Sequence, residues 1–206
     1  MKILTEYDAE NFLEHEGFPL IQRKLCKTER DALKTAKTYC FPVVLKASSP
    51  TLLHKTEHNA VRTNVTEKNF HQHYNELMKL HPEGILVQPH IEGIPLLLGI
   101  KKDPTFGHVL AVGLGDIYTE IFKDVTFRIL PANKKEILSM LDDLKSAQLF
   151  HTYRNKKIDI KKLNKILLTL SKLPEKYPNL EELDINPLFL NNCEEVIADA
   201  RIVFSI

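Results

Sequence analysis

The chain has no excess charge of either sign, no paired cysteines, no glycine-rich dinucleotide fingerprint and no apolar run long enough to cross a bilayer. Lys and Arg number 28 against 27 Asp and Glu, which excludes a general attraction to nucleic acid or anionic membrane and leaves any anion site to local clustering. The three cysteines, Cys26, Cys40 and Cys193, are odd in number and lack metal-type spacing. Neither a disulfide framework nor a thiolate metal site is expected, and reduced thiols in the cytoplasm fit that usage. The opening MKILTEYDAENF has no signal-peptide core, which points to the same compartment. What is present is 206 residues of which 43% are apolar, enough for one substantial core or two small lobes and too apolar for disorder.

Thr5 with Asp8, and Thr28 with Asp31, have the spacing of helix N-terminal caps. The first should open a short helix that stops near Gly17. The second should open a helix whose Ala32, Leu33, Ala36 and Tyr39 share a face and which ends before Phe41-Pro42. Val61 to Val65 reads as a strand, a helix starting at Thr66 follows, and GILVQ from Gly84 reads as a buried strand that Pro89 limits. After the segment PHIEGIP the pattern turns mostly to strands, then to helices over about 134–149 and 160–173, then to a hairpin of two strands, LEELDINPLFL and EVIADARIVF. The expected fold class is α+β in two lobes.

The stretch FPVVLKASSPTLLHK, Phe41 to Lys55, concentrates the chemistry. An apolar strand ends in Lys46, whose ammonium needs an anionic partner if it is buried. Glu120 or Asp184 could supply that charge internally, or a bound phosphate could. The loop after it carries Ser48, Ser49, Thr51, His54, Lys55 and Thr56, hydroxyls and a second cation suited to phosphate oxygens. Near the chain's end, Asp184, Asn186 and Asp199 place oxygen donors inside apolar strands, which suits Mg²⁺ held by one or two protein ligands plus substrate phosphates. The competing reading has Asn186 capping a turn before Pro187 while Asp199 pairs with Arg201. Arg128 alternates with Phe127 and Ile129; it is expected to face phosphate or to pair with Glu120 or Asp124. His71 and His73 are two apart on a predicted helix and make a poor metal pair.

The run PVVLKASSPTLLHKTEHNAV resembles the start of the ATP-grasp domain in the nucleoside-diphosphate-forming acyl-CoA synthetases. The likeness continues in family order through Gln88-Pro89, GIKKDPTFG, GLGDIYTEIFKDVTFR, LDINPL and ADARI, and it is the order across the chain that makes it specific. The resemblance implies an ATP-grasp fold, with residues 1–92 forming an N-terminal lobe that includes the opening helix, residues 93–206 a C-terminal lobe, and a nucleotide cleft between them. It implies a β subunit of an ADP-forming acetyl-CoA or acyl-CoA synthetase that binds ATP or ADP with Mg²⁺. A CoA-binding α subunit carrying a phosphohistidine is its implied partner in a hetero-oligomer. The resemblance further implies catalytic roles for His54, Lys46 and Arg128, nucleotide contacts from Lys46, Ser48, Lys55, Gln88, Pro89, His90 and Glu120, and metal ligation by Asn186 and Asp199.

Three positions depart from the family pattern. Asn59-Ala60 replaces a glycine pair after the HK motif, Pro95 replaces a glutamate, and Asp116 replaces the last glycine of GLGG. A stiffer loop and added negative charge would weaken phosphate binding, so the alternative expectation is a non-catalytic scaffold or regulatory subunit with a degenerate nucleotide site.

Overall fold

The structure is a computed structural model that describes residues 1–49, 59–115, 123–151, 158–191 and 194–206. Contacts divide the chain into two units. Leu4–Asn11 and Ile21–Ile91 form the smaller; Met1–Ile3, Phe12–Leu20 and Glu92–Ile206 form the larger. The changeover near residue 92 lies where the sequence pattern turns to strands, whereas Met1–Ile3 and Phe12–Leu20, expected in the first lobe, group with the later residues.

Helix α1 (Glu6–His15) begins where predicted, its Thr5 hydroxyl accepting from the Asp8 amide at 3.2 Å while donating to the Asp8 carboxylate at 2.7 Å. The rest of the smaller unit is β2 (Lys24–Cys26), α2 (Glu29–Tyr39), β3 (Val43–Ser48), β4 (Val61–Val65), α3 (Phe70–Met78) and β5 (Gly84–Pro89). The Thr28 cap of α2 is present, its side chain accepting from the Asp31 amide. Helix α3 starts later than Thr66 because the Asn69 side chain turns back to accept from the Thr66 amide and hydroxyl. The four strands pair antiparallel in the order β2-β5-β3-β4. Val43, Leu45, Ala47, Ile85 and Val87 pack with Ala32, Ala36, Phe70, Tyr74 and Leu77 of the helices. Because side chains alternate across a strand, Val44, Lys46 and Ser48 are directed to the opposite face, together with their ladder partners Gln88, Leu86 and Gly84. The unbroken apolar look of this strand therefore reflects a sheet covered on both faces, with Lys46 only 5% exposed.

In the larger unit β1 (Lys2–Ile3), β6 (Ile94–Asp103), β7 (Gly107–Leu114), β8 (Val125–Ile129), β9 (Leu180–Asn191), β10 (Glu194–Ile197) and β11 (Ala200–Phe204) form one sheet. Its order is β1-β11-β9-β6-β7-β8, with β10 beside β9. Cross-strand neighbours Ile100, Leu110, Leu183 and Ile202 line a buried face, and Gly99, Asp184 and Arg201 share the other. The predicted helix over 134–149 is two pieces, α4 (Lys134–Ser139) and α5 (Gln148–His151). Asn133 and Glu136 form a capping box at the start of α4. The split has a visible cause: both carboxylate oxygens of Asp124 accept from the amides of Lys145 and Ser146 at 2.8 Å, diverting them from a helical ladder. Helix α6 (Ile160–Lys176) follows the predicted stripe, burying Leu163, Ile166, Leu167, Leu170 and Leu173 behind an Asp159 cap. Phe12, Tyr177 and Phe204 meet edge to face, and Glu16 accepts from Lys176 and the Tyr177 hydroxyl.

Candidate functional site

Strand β9 departs from the regular hairpin that the sequence suggests, and the departure falls on the candidate metal ligands. Between the pairs Leu96 with Leu188 and Leu98 with Ile185, β6 advances two residues while β9 advances three. Asn186 and Pro187 are thus bulged out of the ladder, a device that re-aims a side chain. The opposite strand breaks at the same level: β10 pairs Ile197 with Leu188, β11 pairs Ala200 with Ile185, and Ala198-Asp199 lie between. The Asn186 amide donates to the Asp199 carbonyl at 3.3 Å and the Ala198 amide to the Pro187 carbonyl at 3.0 Å. The single second strand expected from sequence is therefore two strands, separated where Asp199 meets Asn186.

Among the described residues, the charges that bear on Asp184 are predominantly acidic. Burial, then the nearby Asp199 and Glu182 carboxylates, push Asp184 up to about 6, with Arg201 opposing them more weakly. Arg201 itself ion-pairs with Glu182 at 3.2 Å, so the expected Asp199–Arg201 partnership is not the one this guanidinium makes. Asn186 and Asp199, joined through their backbones in a negative field, offer the carboxamide and carboxylate oxygens that a hard divalent cation such as Mg²⁺ prefers. Metal would there supply charge neutralisation for phosphate oxygens.

On β3, Lys46 donates to the Glu6 carboxylate at 2.6 Å, both side chains being nearly inaccessible. Of the partners named from sequence, Glu120 lies outside the described residues, and the contact seen is with a helix residue that sequence reading did not single out. One turn on, Glu10 accepts from Gln88 at 3.0 Å and lies 3.0 Å from the Arg23 guanidinium. Two acids four apart on a helix share a face, and here that face also buries Ala9 and Leu13; acids flanking apolar residues were the signal available. Ser48 lies at the end of β3 on the Lys46 face, 3% exposed. Pro89 closes β5 opposite Val43, and the His90 amide donates to the Pro42 carbonyl at 3.1 Å. Lys46, Ser48 and Gln88 are thus gathered on one sheet face of the smaller unit.

Arg128 pairs with Leu110 across the ladder and so lies on the buried face of the larger sheet, bonded to Ser139 and ion-paired with Asp143. Of its two expected partners, Asp124 is engaged at 145–146, and Glu120 is outside the described residues. The sheet itself separates Arg128 from the face bearing Asp184. His54 and Lys55 also lie outside the described residues. Of the departures, Asn59 has a φ of 49°, a left-handed conformation that glycine adopts freely and Asn tolerates. Ala60 is fully buried and Pro95 sits in β6 opposite Phe189. Among the described residues, Cys26 and Cys40 are free thiols, and no helix is long and apolar enough to cross a membrane.

An ATP-grasp domain model matches residues 1–204. The chain is 34% identical to the acetate–CoA ligase (ADP-forming) II subunit beta of Pyrococcus furiosus, covering 97% of this chain and 91% of that one. It is also 34% identical to the acetate–CoA ligase (ADP-forming) II of Archaeoglobus fulgidus, covering 98% of this chain but 30% of that longer protein. Among solved structures it superposes on acetyl-coenzyme A synthetase 1 of Ca. Korarchaeum cryptofilum, in complex with coenzyme A, Ca-AMPCP and HgCl⁺, with a TM-score of 0.89 and 31% identity, covering 99% and 94% of the two chains. A second structure of that synthetase, with coenzyme A and Mg-AMPPCP and its phosphohistidine segment pointing towards the nucleotide binding site, gives 0.83 at 28% identity over 99% and 93%. The ATP-grasp fold expected from the PVVLK, LDINPL and ADARI blocks is therefore the fold of this chain, which belongs to the ATP-grasp family of ADP-forming acetate–CoA ligases.

Proposed function

We propose that this chain is the nucleotide-binding β subunit of an ADP-forming acyl-CoA ligase, moving a phosphoryl group between a phosphohistidine on a CoA-binding α subunit and ADP. In the ATP-forming direction the P–N bond to the imidazole breaks as a P–O bond forms to the terminal oxygen of ADP. The observation that carries the reading is the paired irregularity of β9 and β10/β11, which sets Asn186 beside Asp199 in a negative field. Asn186 and Asp199 hold Mg²⁺; Lys46 and Ser48, with Lys55 and His54, serve the phosphates; Gln88, Pro89, His90 and Glu120 serve the rest of the nucleotide. Arg128 would act on phosphate there only by leaving both Asp143 and its own face of the larger sheet. Positioning and charge neutralisation account for catalysis of this kind. The site of action is the cytoplasm and the assembly a hetero-oligomer.

A scaffold subunit is the second reading, favoured by the closure of Lys46 on Glu6 and by the Asn59-Ala60, Pro95 and Asp116 departures. Calorimetric titration with ADP, with and without Mg²⁺, separates the two. Metal-dependent heat at sub-millimolar ADP supports the enzyme, and no heat at millimolar ADP leaves the scaffold. In a coupled assay the purified chain alone should make no acetyl-CoA from acetate, ATP and CoA, and a cognate α subunit should restore turnover.

A further inference from the structure

Resting on the metal assignment above, we propose that Gly115 is a positioning residue for Asn186, its missing side chain being the space that the Asn186 carboxamide oxygen occupies. Gly115 follows β7, and its amide donates to the Pro95 carbonyl at 2.8 Å, carrying the β6–β7 pairing one residue further. A Cβ built there would stand 2.8 Å from Asn186 Oδ1, 2.8 Å from the Leu96 carbonyl carbon and 3.0 Å from its oxygen. Real Cβ atoms do not approach that closely, so something must shift. Leu96 is held by ladders on both sides, to Leu114 and to Leu188, and has little freedom to yield. The Asn186 Oδ1 atom is the end of a side chain on a bulge whereas the other two atoms are ladder backbone, so a side chain at 115 would displace the donor oxygen more readily than the wall.

Conformational freedom does not explain this glycine. Gly17 and Gly107 take positive φ, and Gly115 does not. The requirement is steric, and it ties three adjacent strands to one oxygen atom: β6 supplies a fixed wall, the end of β7 supplies the gap, and the bulge of β9 fills it.

The test uses Mn²⁺ as the probe cation, titrated by electron paramagnetic resonance in the presence of ADP. Wild type, Gly115→Ala, Asn186→Ala and the double variant are compared, with thermal midpoints measured without metal. Gly115→Ala should weaken Mn²⁺ binding at least tenfold, and the double variant should bind no more weakly than Asn186→Ala, because the glycine acts through that side chain. Wild-type Mn²⁺ affinity in Gly115→Ala, or losses that multiply in the double variant, would overturn the proposal. Should Gly115→Ala alone fail to fold, a folded double variant supports the coupling, and an unfolded one shows that Leu96 alone imposes the glycine. Equal Mn²⁺ affinity in wild type and Asn186→Ala would sink the metal assignment itself. In that event the midpoints still decide on Gly115: restoration by Asn186→Ala of part of the midpoint lost to Gly115→Ala sustains the steric coupling, and no restoration removes it.

Discussion

The two units bury polar groups in opposite ways. In the smaller, each buried acid on α1 has a donor from elsewhere in the same unit, Lys46 for Glu6 and Gln88 for Glu10, and Arg23 adds an ion pair to Glu10. In the larger, Asp199 and Glu182 each bear on Asp184 more strongly than Arg201 does. A closed set of charges is stable without a ligand, whereas an acidic surplus gains stability from a cation. The contrast assigns preorganisation to the first cluster and recruitment of metal to the second, and charge removal should therefore have opposite consequences in the two places.

The largest effect is expected at Lys46. Lys46→Met takes the ammonium away from the buried Glu6 carboxylate and should cost about 3–5 kcal/mol of stability in urea titrations. The paired change Lys46→Met with Glu6→Leu should recover most of it. A Lys46→Met protein as stable as wild type would show that the smaller unit's charges are not a closed set.

Asp199→Asn tests the other half. Mg²⁺ dependence of ADP binding should fall at least tenfold in calorimetry, while metal-free stability should hold or rise by less than about 1 kcal/mol, because an acid that raises its neighbour's pKa has been neutralised. A clear drop in metal-free stability would instead place Asp199 in a structural network like that of Glu6.

The smallest effect sharpens the comparison inside the larger unit, where Glu16 and Lys176 form a closed pair at 2.7 Å. Hydrogen bonding from Lys176, then from Tyr177, holds Glu16 below its usual 4.5, and the same contact raises Lys176 above 10.5. A depressed acid adds stability above its unfolded pKa and loses it as pH falls through the folded value; a raised lysine adds stability below its unfolded pKa and loses it as pH climbs through the folded one. The pair should therefore contribute between about pH 4.5 and 10.5. Glu16→Gln should flatten the acid limb of the stability profile below pH 4.5, and an unaltered limb would remove the pair from the account.

Much of this was legible in residue order. The Thr5 and Thr28 caps, the stripe of α6 and the oxygen donors inside apolar strands are local patterns, and local spacing sets them. The partner of Lys46 was not legible, because Glu6 lies forty positions away and pairing at that range is decided by how α1 meets the sheet. Alternation separated Arg128 from Phe127 and Ile129, but the faces are the reverse of the apolar-in reading: Phe127 and Ile129 are exposed and Arg128 lies on the buried side. The predicted helix from Lys134 failed for a similar reason, since its breaker, Asp124, precedes it by ten residues and acts through space. His54, Lys55 and Glu120 fall outside the described residues, so their expected roles rest on the family resemblance alone.

The matched interruptions in β9 and in β10/β11 work as a change of phase. Buried positions run Leu183 and Ile185 before the slip and Leu188 and Leu190 after it; on the other strand they run Glu195 and Ile197, then Ala200 and Ile202. Odd numbers give way to even ones at the same level on both strands. A one-residue deletion in either strand alone would turn half of that strand inside out, whereas matched deletions would restore an uninterrupted ladder and erase the place where Asn186 meets Asp199. The frame of the hairpin and the candidate metal site thus stand or fall as a single inherited unit.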